Sequence, residues 1–461
     1  MRKRAQRQLP LDFAGTLKLT QDWYELYKDI HTILESNPAV TDWVHADLTG
    51  ATRKLKRNVE GVASESILRM AIVQQIEQLS FRETIVRVDD SQMLRFFCRF
   101  YDDPVLSHGK YADLVNMIQP ETWKQINELI VRFARDQKGV KGKKLRIDTT
   151  AVESDVHFPM DSTLLLDCVR VLSRLVSRTQ KLDPELVGKW RARLANAKRL
   201  TQKLLRGGKK MHTATRKKLY RHLIYATERA MAKATEVRTR IERGEGRVSS
   251  VEQVFALQAI SLEIAHYLPL SEKCVYQARE RVLNGNLVPN DKKVFSIFEP
   301  HTELLIRGKA GKEIEFGHML EINQVECGLI THYTTHAKRP YEPPLLGPAI
   351  LTHEKIFGYV PDVCAGDKGF YSKQTVIDLE ELGVGKVCIP KKGRRNQEEE
   401  KREHSYWFKA AQAFRAGIEG TISVLKRAFG LRRCLREGFK RFESWVATGV
   451  LAHNLVLLAR M

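Results

Sequence analysis

No two cysteines in this chain stand in a Cys-x2-Cys pair. The seven cysteines, at 98, 168, 274, 327, 364, 388 and 434, are scattered and odd in number. That pattern excludes a disulfide framework and a zinc-ribbon site, and it reads as reduced thiols in a cytoplasmic setting. The 14 histidines form no cluster with metal-ligand spacing. No apolar run reads as long enough to cross a membrane, and the basic N-terminus MRKRAQRQLPLDF is not followed by an apolar signal core. No repeat shows at periods of 20–50 residues. Acidic residues are in short supply, 55 against 77 Lys and Arg, which leaves a net charge of +22 and a pI near 9.6. The natural partner of so much positive charge is a polyanion: nucleic acid ahead of an anionic membrane. What is present is length, 461 residues with 43% hydrophobic, enough for two or three domains and a sizeable core.

Residues 1–140 read as a helical N-terminal, DNA-binding region. The segment SILRMAIVQQIEQLSFRETIVRV has apolar residues at helical period and a polar opposite face. LSFRETI within it reads as a helix-turn-helix junction, with Ser80 as N-cap and Glu83 completing a capping box. Arg82, Arg87, Arg95 and Arg99 are interleaved there, so the segment is either a DNA-binding motif or a plain helical bundle. At 143–152, KKLRIDTTAV reads as a strand that carries Asp148 toward its carboxyl end, where α/β sheets place catalytic groups. From 161 to 290 there is little Gly or Pro and long helices are expected, with turns at GGKK (207–210) and RGEGR (243–247). Between 170 and 250, 23 Lys and Arg face 6 Asp and Glu, a surplus of 17. Self-repulsion on that scale calls for a polyanion nearby, and Lys209, Lys210, Arg216, Lys217 and Lys218 are the densest candidate contacts.

From 291 onward strand patterns return: 294–298, 302–308, a hairpin over 315–336 that turns near Cys327 and Gly328, a strand before Asp367, and another at 384–392. Helices are expected at 349–357, at 373–383 closed by Gly383, and from Tyr406 to the end. The run GRRNQEEEKREH (393–404) reads as a charged loop, and the tail SWVATGVLAHNLVLLARM as a core helix. In FRAGIEGTISVLKRAFGLRR, Arg415, Glu419 and Lys426 lie 4 and 7 residues apart and share one helix face. Alone, such a triplet is a surface salt bridge as readily as a site. Asp148 and Asp367 give it company. Three carboxylates gathered at strand ends repel one another unless cations are bound, and Mg²⁺ favours carboxylate oxygens together with phosphate.

The chain resembles the DDE transposases of bacterial insertion sequences, nearest to their ISNCY-like group. The resemblance rests on LRIDTTAVESDVHFPMDSTLL (145–165), VCAGDKGFYS (363–372), FRAGIEGTISVLKR (414–427) and the N-terminal helical stretch 79–100. The last of the three blocks is similar to the signature Tyr-x2-Arg-x3-Glu-x6-Lys, except that Gln412 stands where the family has tyrosine. The resemblance implies an α/β fold: an RNase H-like mixed sheet core (141–160 and 291–461), a helical N-terminal domain, and a large all-helical basic insertion (161–290) after the first core strand. It implies that Asp148, Asp367 and Glu419 bind metal, two Mg²⁺ or Mn²⁺ ions, and are catalytic. It implies that Arg415, Lys426 and Arg427 touch phosphates.

The expected activity is cleavage at the ends of a mobile element and strand transfer of the freed 3′-hydroxyl into target DNA by a homodimer, in the cytoplasm. Two other readings stand beside it: a metal-dependent nuclease of the same fold, and a DNA-binding protein with an inactive or domesticated core. Glu153, Asp155 and Asp362 compete as ligands. Asp161 and Asp167 fit helix capping better, His157 and Phe158 fit either DNA stacking or a packed loop, and Trp407 fits core packing better than a wedge between bases.

Overall fold

Ten residues, Lys144–Glu153, form β1, and eight of them are buried. Burial on both faces lets polar residues share this strand with Leu145 and Ile147. Asp148 therefore sits in the middle of β1, where the sequence suggested its end. The computed structural model describes residues 17–55, 62–247, 250–309 and 312–461. The basic N-terminal stretch MRKRAQRQLPLDF lies outside the described residues. The chain divides into two compact units, one made of Met1–Asp155 with Gly317–Met461 and the other of Val156–Phe316.

Among the described residues, seven helices precede β1 in the first unit: α1 (Lys18–Glu35), α2 (Ala39–Leu55), α3 (Ser64–Ile76), α4 (Phe81–Asp90), α5 (Gln92–Phe97), α6 (His108–Val115) and α7 (Pro120–Gln137). The junction between α3 and α4 is as the sequence indicates: Ser80 and Glu83 form a reciprocal capping box. The polar face expected of α3 is not at the surface, because Ser64–Gln75 is buried all round. Arg69, 1% exposed, pairs there with Glu65 at 2.7 Å and Glu35 at 2.8 Å, and Arg99 joins Glu65 at 2.7 Å. A charge enters a core only with such partners.

The remaining strands are β2 (Glu303–Lys309), β3 (Lys312–Val325), β4 (Ile330–His336), β5 (Val363–Ala365) and β6 (Lys386–Cys388). They make one mixed sheet in the order β2-β3-β1-β5-β6, with β4 also on β3. β1 runs antiparallel to β3 and parallel to β5, which is parallel to β6. Gly328, at φ 91°, makes the hairpin turn between β3 and β4. At Gly317 a Cβ would lie 2.0 Å from the Val152 carbonyl oxygen, so the close pairing of β3 with β1 requires glycine there. The stretch 294–298 forms no strand; Val294 and Ile297 instead anchor irregular chain in the second unit's core.

The second unit holds α8 (Asp161–Leu182), α9 (Pro184–Val187), α10 (Leu194–Gly207), α11 (Thr213–Glu242) and α12 (Val251–Ala278). They pack around Leu165, Leu172, Leu223, Ile260 and Ile264. In the first unit follow α13 (Leu346–Phe357), α14 (Lys373–Glu381), α15 (Gln397–His404), α16 (Tyr406–Ala428) and α17 (Phe439–Ala459). α15 replaces the expected loop: Asn396 and Glu399 form a capping box, with Glu398–Glu400 in the first turn and Lys401, Arg402 and His404 in the last. That order of charge complements the helix dipole, so a run that reads as solvated loop folds instead. By length and composition two helical stretches, Val251–Asn284 and Phe439–Ala459, do reach membrane-spanning size, contrary to the sequence reading. In the second of them 83% of the apolar window is buried in the protein, as a core helix requires.

Candidate active site

Both aspartates follow the stretch in which β1 pairs with β5. β1 and β5 are parallel, with Arg146 opposite Ala365. Two residues further along come Asp148, within β1, and Asp367, past the end of β5, where Gly366 opens a turn. Asp367 caps that turn, its Oδ1 accepting from the Gly369 amide at 2.7 Å. Asp148 Oδ1 accepts from the Thr149 amide at 2.7 Å, and its Oδ2 faces Arg415 Nη2 at 3.3 Å. The other terminal nitrogen of Arg415, Nη1, donates to Glu419 Oε1 at 3.0 Å. One guanidinium therefore holds Asp148 on the strand and Glu419 on α16. Asp148 is 13% exposed at its side chain, Glu419 65%. Arg415 is occupied by carboxylates; its Nε is buried with no hydrogen-bond partner. Lys426 lies two turns further along α16, half-buried, and Arg427 is exposed.

α16 is held on this face of the sheet by groups the sequence did not single out. Arg146 donates from Nε to Gln324 at 2.8 Å and from Nη1 to the Phe414 carbonyl at 2.6 Å, and it stacks on the Phe414 ring. Its burial lowers its pKa. A side chain at Gly417 would lie 2.3 Å from Arg146 Nη1, so glycine lets the helix come this close. Gln324 also donates to Thr421 Oγ1 at 2.8 Å. Gln412, the departure from the family signature, donates from Nε2 to the Cys388 carbonyl at 3.2 Å and the Gly366 carbonyl at 3.4 Å. It ties α16 to the ends of β5 and β6, one residue from Asp367. Trp407 packs with Phe408, Ala411, Ala365 and Cys388, the core role expected of it. Burial pushes the Cys388 thiol up to about 11.

Glu342 is a further acidic residue near Asp367. Its Oε1 accepts from Thr149 Oγ1 at 2.8 Å, on the face of β1 opposite Asp148. Its Oε2 would lie 2.2 Å from a Cβ at Gly369, where Asp367 Oδ1 would be 2.9 Å away. Glu342 thus stands beside Asp367. The only signal in sequence is a lone acid within the proline-rich run 338–348.

The competing carboxylates point elsewhere. Glu153 lies an odd number of residues from Asp148, hence on the opposite strand face, and pairs with Arg433 at 3.2 Å. Asp155 lies 3.9 Å from Arg433. Asp362, at the far end of β5, lies 4.0 Å from Lys143. In the second unit Asp161 accepts from Gln277 and Arg281, and Asp167 accepts from His157 at 2.7 Å, which raises the His157 pKa. Phe158 packs edge-on against Phe316, 5.6 Å between centroids, and is 67% exposed.

The basic residues divide by exposure. Lys209, Lys210 and Lys218 are exposed, whereas Lys217 donates to the Leu283 carbonyl at 2.7 Å and Arg216 to that of Gly208. In the N-terminal region Arg87 pairs with Glu77 at 2.8 Å and Arg95 with Asp89 at 2.6 Å; with Arg99 buried, Arg82 is the exposed arginine of that interleaved set with no ion pair among the described residues.

The donor set suits a hard divalent cation: three carboxylates, with no thiolate or imidazole among them. Among the described residues no group of three or more His, Cys, Asp or Glu is arranged to hold a metal. Between Asp148 and Glu419 the positive charge comes from Arg415. No curated protein and no solved structure matches the chain. Residues 325–455, which include Glu342, Asp367, Gln412, Arg415, Glu419 and Lys426 and begin downstream of Asp148, match the family described as the transposase DDE domain, consistent with an insertion-sequence DDE transposase.

Proposed function

We propose that this protein is a transposase that cuts DNA at the ends of its mobile element and joins them to target DNA. The observation that carries the reading is the meeting of Asp148 and Glu419 on one guanidinium, with Asp367 at the turn that follows the neighbouring parallel strand. The strand order, with an antiparallel β3 and β4 on one side of β1 and parallel β5 and β6 on the other, supports an RNase H-like core. Residues 161–290 then form a basic insertion after the first core strand, and residues 1–140 a DNA-binding region.

Asp148, Asp367 and Glu419 would hold the divalent cations, Mg²⁺ or Mn²⁺. Bound there, such ions polarise the phosphate and stabilise charge on the entering and leaving oxygens. Arg415 holds Glu419 beside Asp148. Lys426 and Arg427 continue that basic face along α16. In the first reaction water oxygen bonds to phosphorus and the 3′-oxygen of the element leaves. In the second that 3′-hydroxyl attacks a target phosphodiester and displaces the target's 3′-oxygen. In each, one proton passes from nucleophile to leaving group, and no covalent protein–DNA bond forms. The substrates are double-stranded terminal repeats and target DNA, bound by a homodimer in the cytoplasm.

A joining assay tests this. A pre-cut end with a free 3′-hydroxyl, supercoiled target and Mg²⁺ or Mn²⁺ should give strand-transfer product. Asp148→Ala and Glu419→Gln should abolish it while leaving affinity for DNA within about twofold, since neither carboxylate adds to phosphate attraction. Nicking without joining would favour a nuclease; equal activity in wild type and variants would sink the catalytic assignment.

A further inference from the structure

Among the described residues four arginines are buried, all in the first unit: Arg69, Arg99, Arg146 and Arg436. Arg69 and Arg99 meet Glu65 and Glu35. Arg146 meets Gln324 and the Phe414 carbonyl. Arg436, in the connection from α16 to α17, is 6% exposed and is matched far less well. Its Nη2 lies 3.5 Å from Gln74 Oε1, which already accepts from the Tyr111 hydroxyl at 3.0 Å. Its Nε and Nη1 are buried with no hydrogen-bond partner.

Two rings lie against the guanidinium, with centroids 5.4 Å away for Phe81 and 5.2 Å for Trp445. Rings attract a cation through its face, but the N–H bonds of a guanidinium point outward in its plane, so stacking satisfies none of them. Trp445 is itself buried, and its Nε1 is a further donor with no partner. A buried charge and buried donors both call for a partner. Burial lowers the pKa of Arg436, and the side chains that act on it are Tyr111, Cys434 and Arg441, none of them a carboxylate. Glu437, the next residue, is exposed. Arg432, Lys440 and Arg441 are exposed nearby in the chain, and their field favours an anion.

Burial selects which anion. A backbone phosphate is tied to a polymer and cannot follow Nε and Nη1 beneath the side chains that cover them. A halide is small, unattached and able to accept from any direction. We propose that Arg436 and Trp445 line a site for a small inorganic anion of chloride's size. The anion accepts from the unmatched N–H bonds. It thereby pins the connection that follows α16 against Gln74 of α3, Phe81 of α4 and Tyr111 of α6.

Thermal unfolding of the full chain, without DNA or divalent metal, tests the site separately from cutting and joining. Replacing bulky gluconate with chloride at constant ionic strength should raise Tm by several degrees and then saturate. Arg436→Met should remove the saturable rise. Arg436→Lys keeps the charge without the planar set of donors, and serves if the first variant does not fold. It should need about tenfold more chloride for half the effect. Crystals grown in sodium bromide should show an anomalous peak within hydrogen-bond reach of the Arg436 guanidinium. No saturable rise in the wild type, a rise that Arg436→Lys leaves unchanged, or no bromide peak beside Arg436 would each overturn the proposal. So would a short DNA duplex that, in gluconate, stabilises the wild type but not the Arg436 variants, since that would assign the site to backbone phosphate.

Discussion

Gln412 shows how one residue can replace another's chemistry with a different support. Where the family signature has tyrosine, this chain has an amide that donates to the carbonyls of Cys388 and Gly366 and so fixes α16 against the turn bearing Asp367. Gln412→Ala should cost about 1 kcal/mol of stability, the net worth of such hydrogen bonds. It should lower joining activity by roughly tenfold, because a small displacement of Glu419 relative to Asp367 spoils positioning. DNA affinity should not change. Fluorescence anisotropy beside the joining assay checks this; a parallel loss of binding and joining would show that Gln412 supports the fold alone. The Arg415 and Glu419 face was legible from spacing, because a four-residue step in a helix has one geometry. What Arg415 touches was not, since a guanidinium suits carboxylate and phosphate alike. Arg146, Glu342 and Gln324 were beyond reach because their partners lie 268, 193 and 97 residues away.

At the scale of elements, local signals were read well where local physics decides. The capping box at Ser80, the hairpin turning at Gly328 and the helix stopped by Gly383 each depend on a few adjacent residues. Errors came where context decides: α3 is buried on every side, 294–298 is irregular, and α15 folds from a charge run. The helical segment 170–250 was legible as basic, but which of its cations face solvent was not. Arg216 and Lys217 turn to backbone carbonyls, which leaves Lys209, Lys210 and Lys218 at the surface of the connection from α10 to α11. Changing these three lysines to glutamine should weaken DNA binding at low salt and reduce the slope of log affinity against log salt by about 2.7, at roughly 0.9 per phosphate contact. Adding Arg216→Gln and Lys217→Gln should change the slope little further. Titrations at several salt concentrations decide it, and an unaltered slope for the triple variant would remove this surface from the DNA path.

For the whole molecule, histidines make the two units answer to acid in opposite senses. In the first unit, burial lowers His353 and His453 to about 4, against an ordinary 6.5. The unfolded chain binds protons at these sites from pH 6.5 downward while the folded chain does not, so stability falls as pH falls from 6.5 toward about 4. In the second unit His157 is raised above 6.5 by Asp167, so its contribution is complete below 6.5 and is lost as pH rises through the higher folded value. Lowering the pH from 6.5 to 5.5, where most carboxylates stay charged, should therefore weaken the first unit first. Each buried histidine contributes up to about 1.4 kcal/mol per pH unit, enough for a drop of several degrees in melting temperature. Scanning calorimetry should resolve a transition that moves down with acid. The double variant His353→Leu with His453→Leu should flatten that slope whatever its absolute melting temperature. A slope unchanged by the double variant would mean that these rings are not the groups that couple the fold of the first unit to pH.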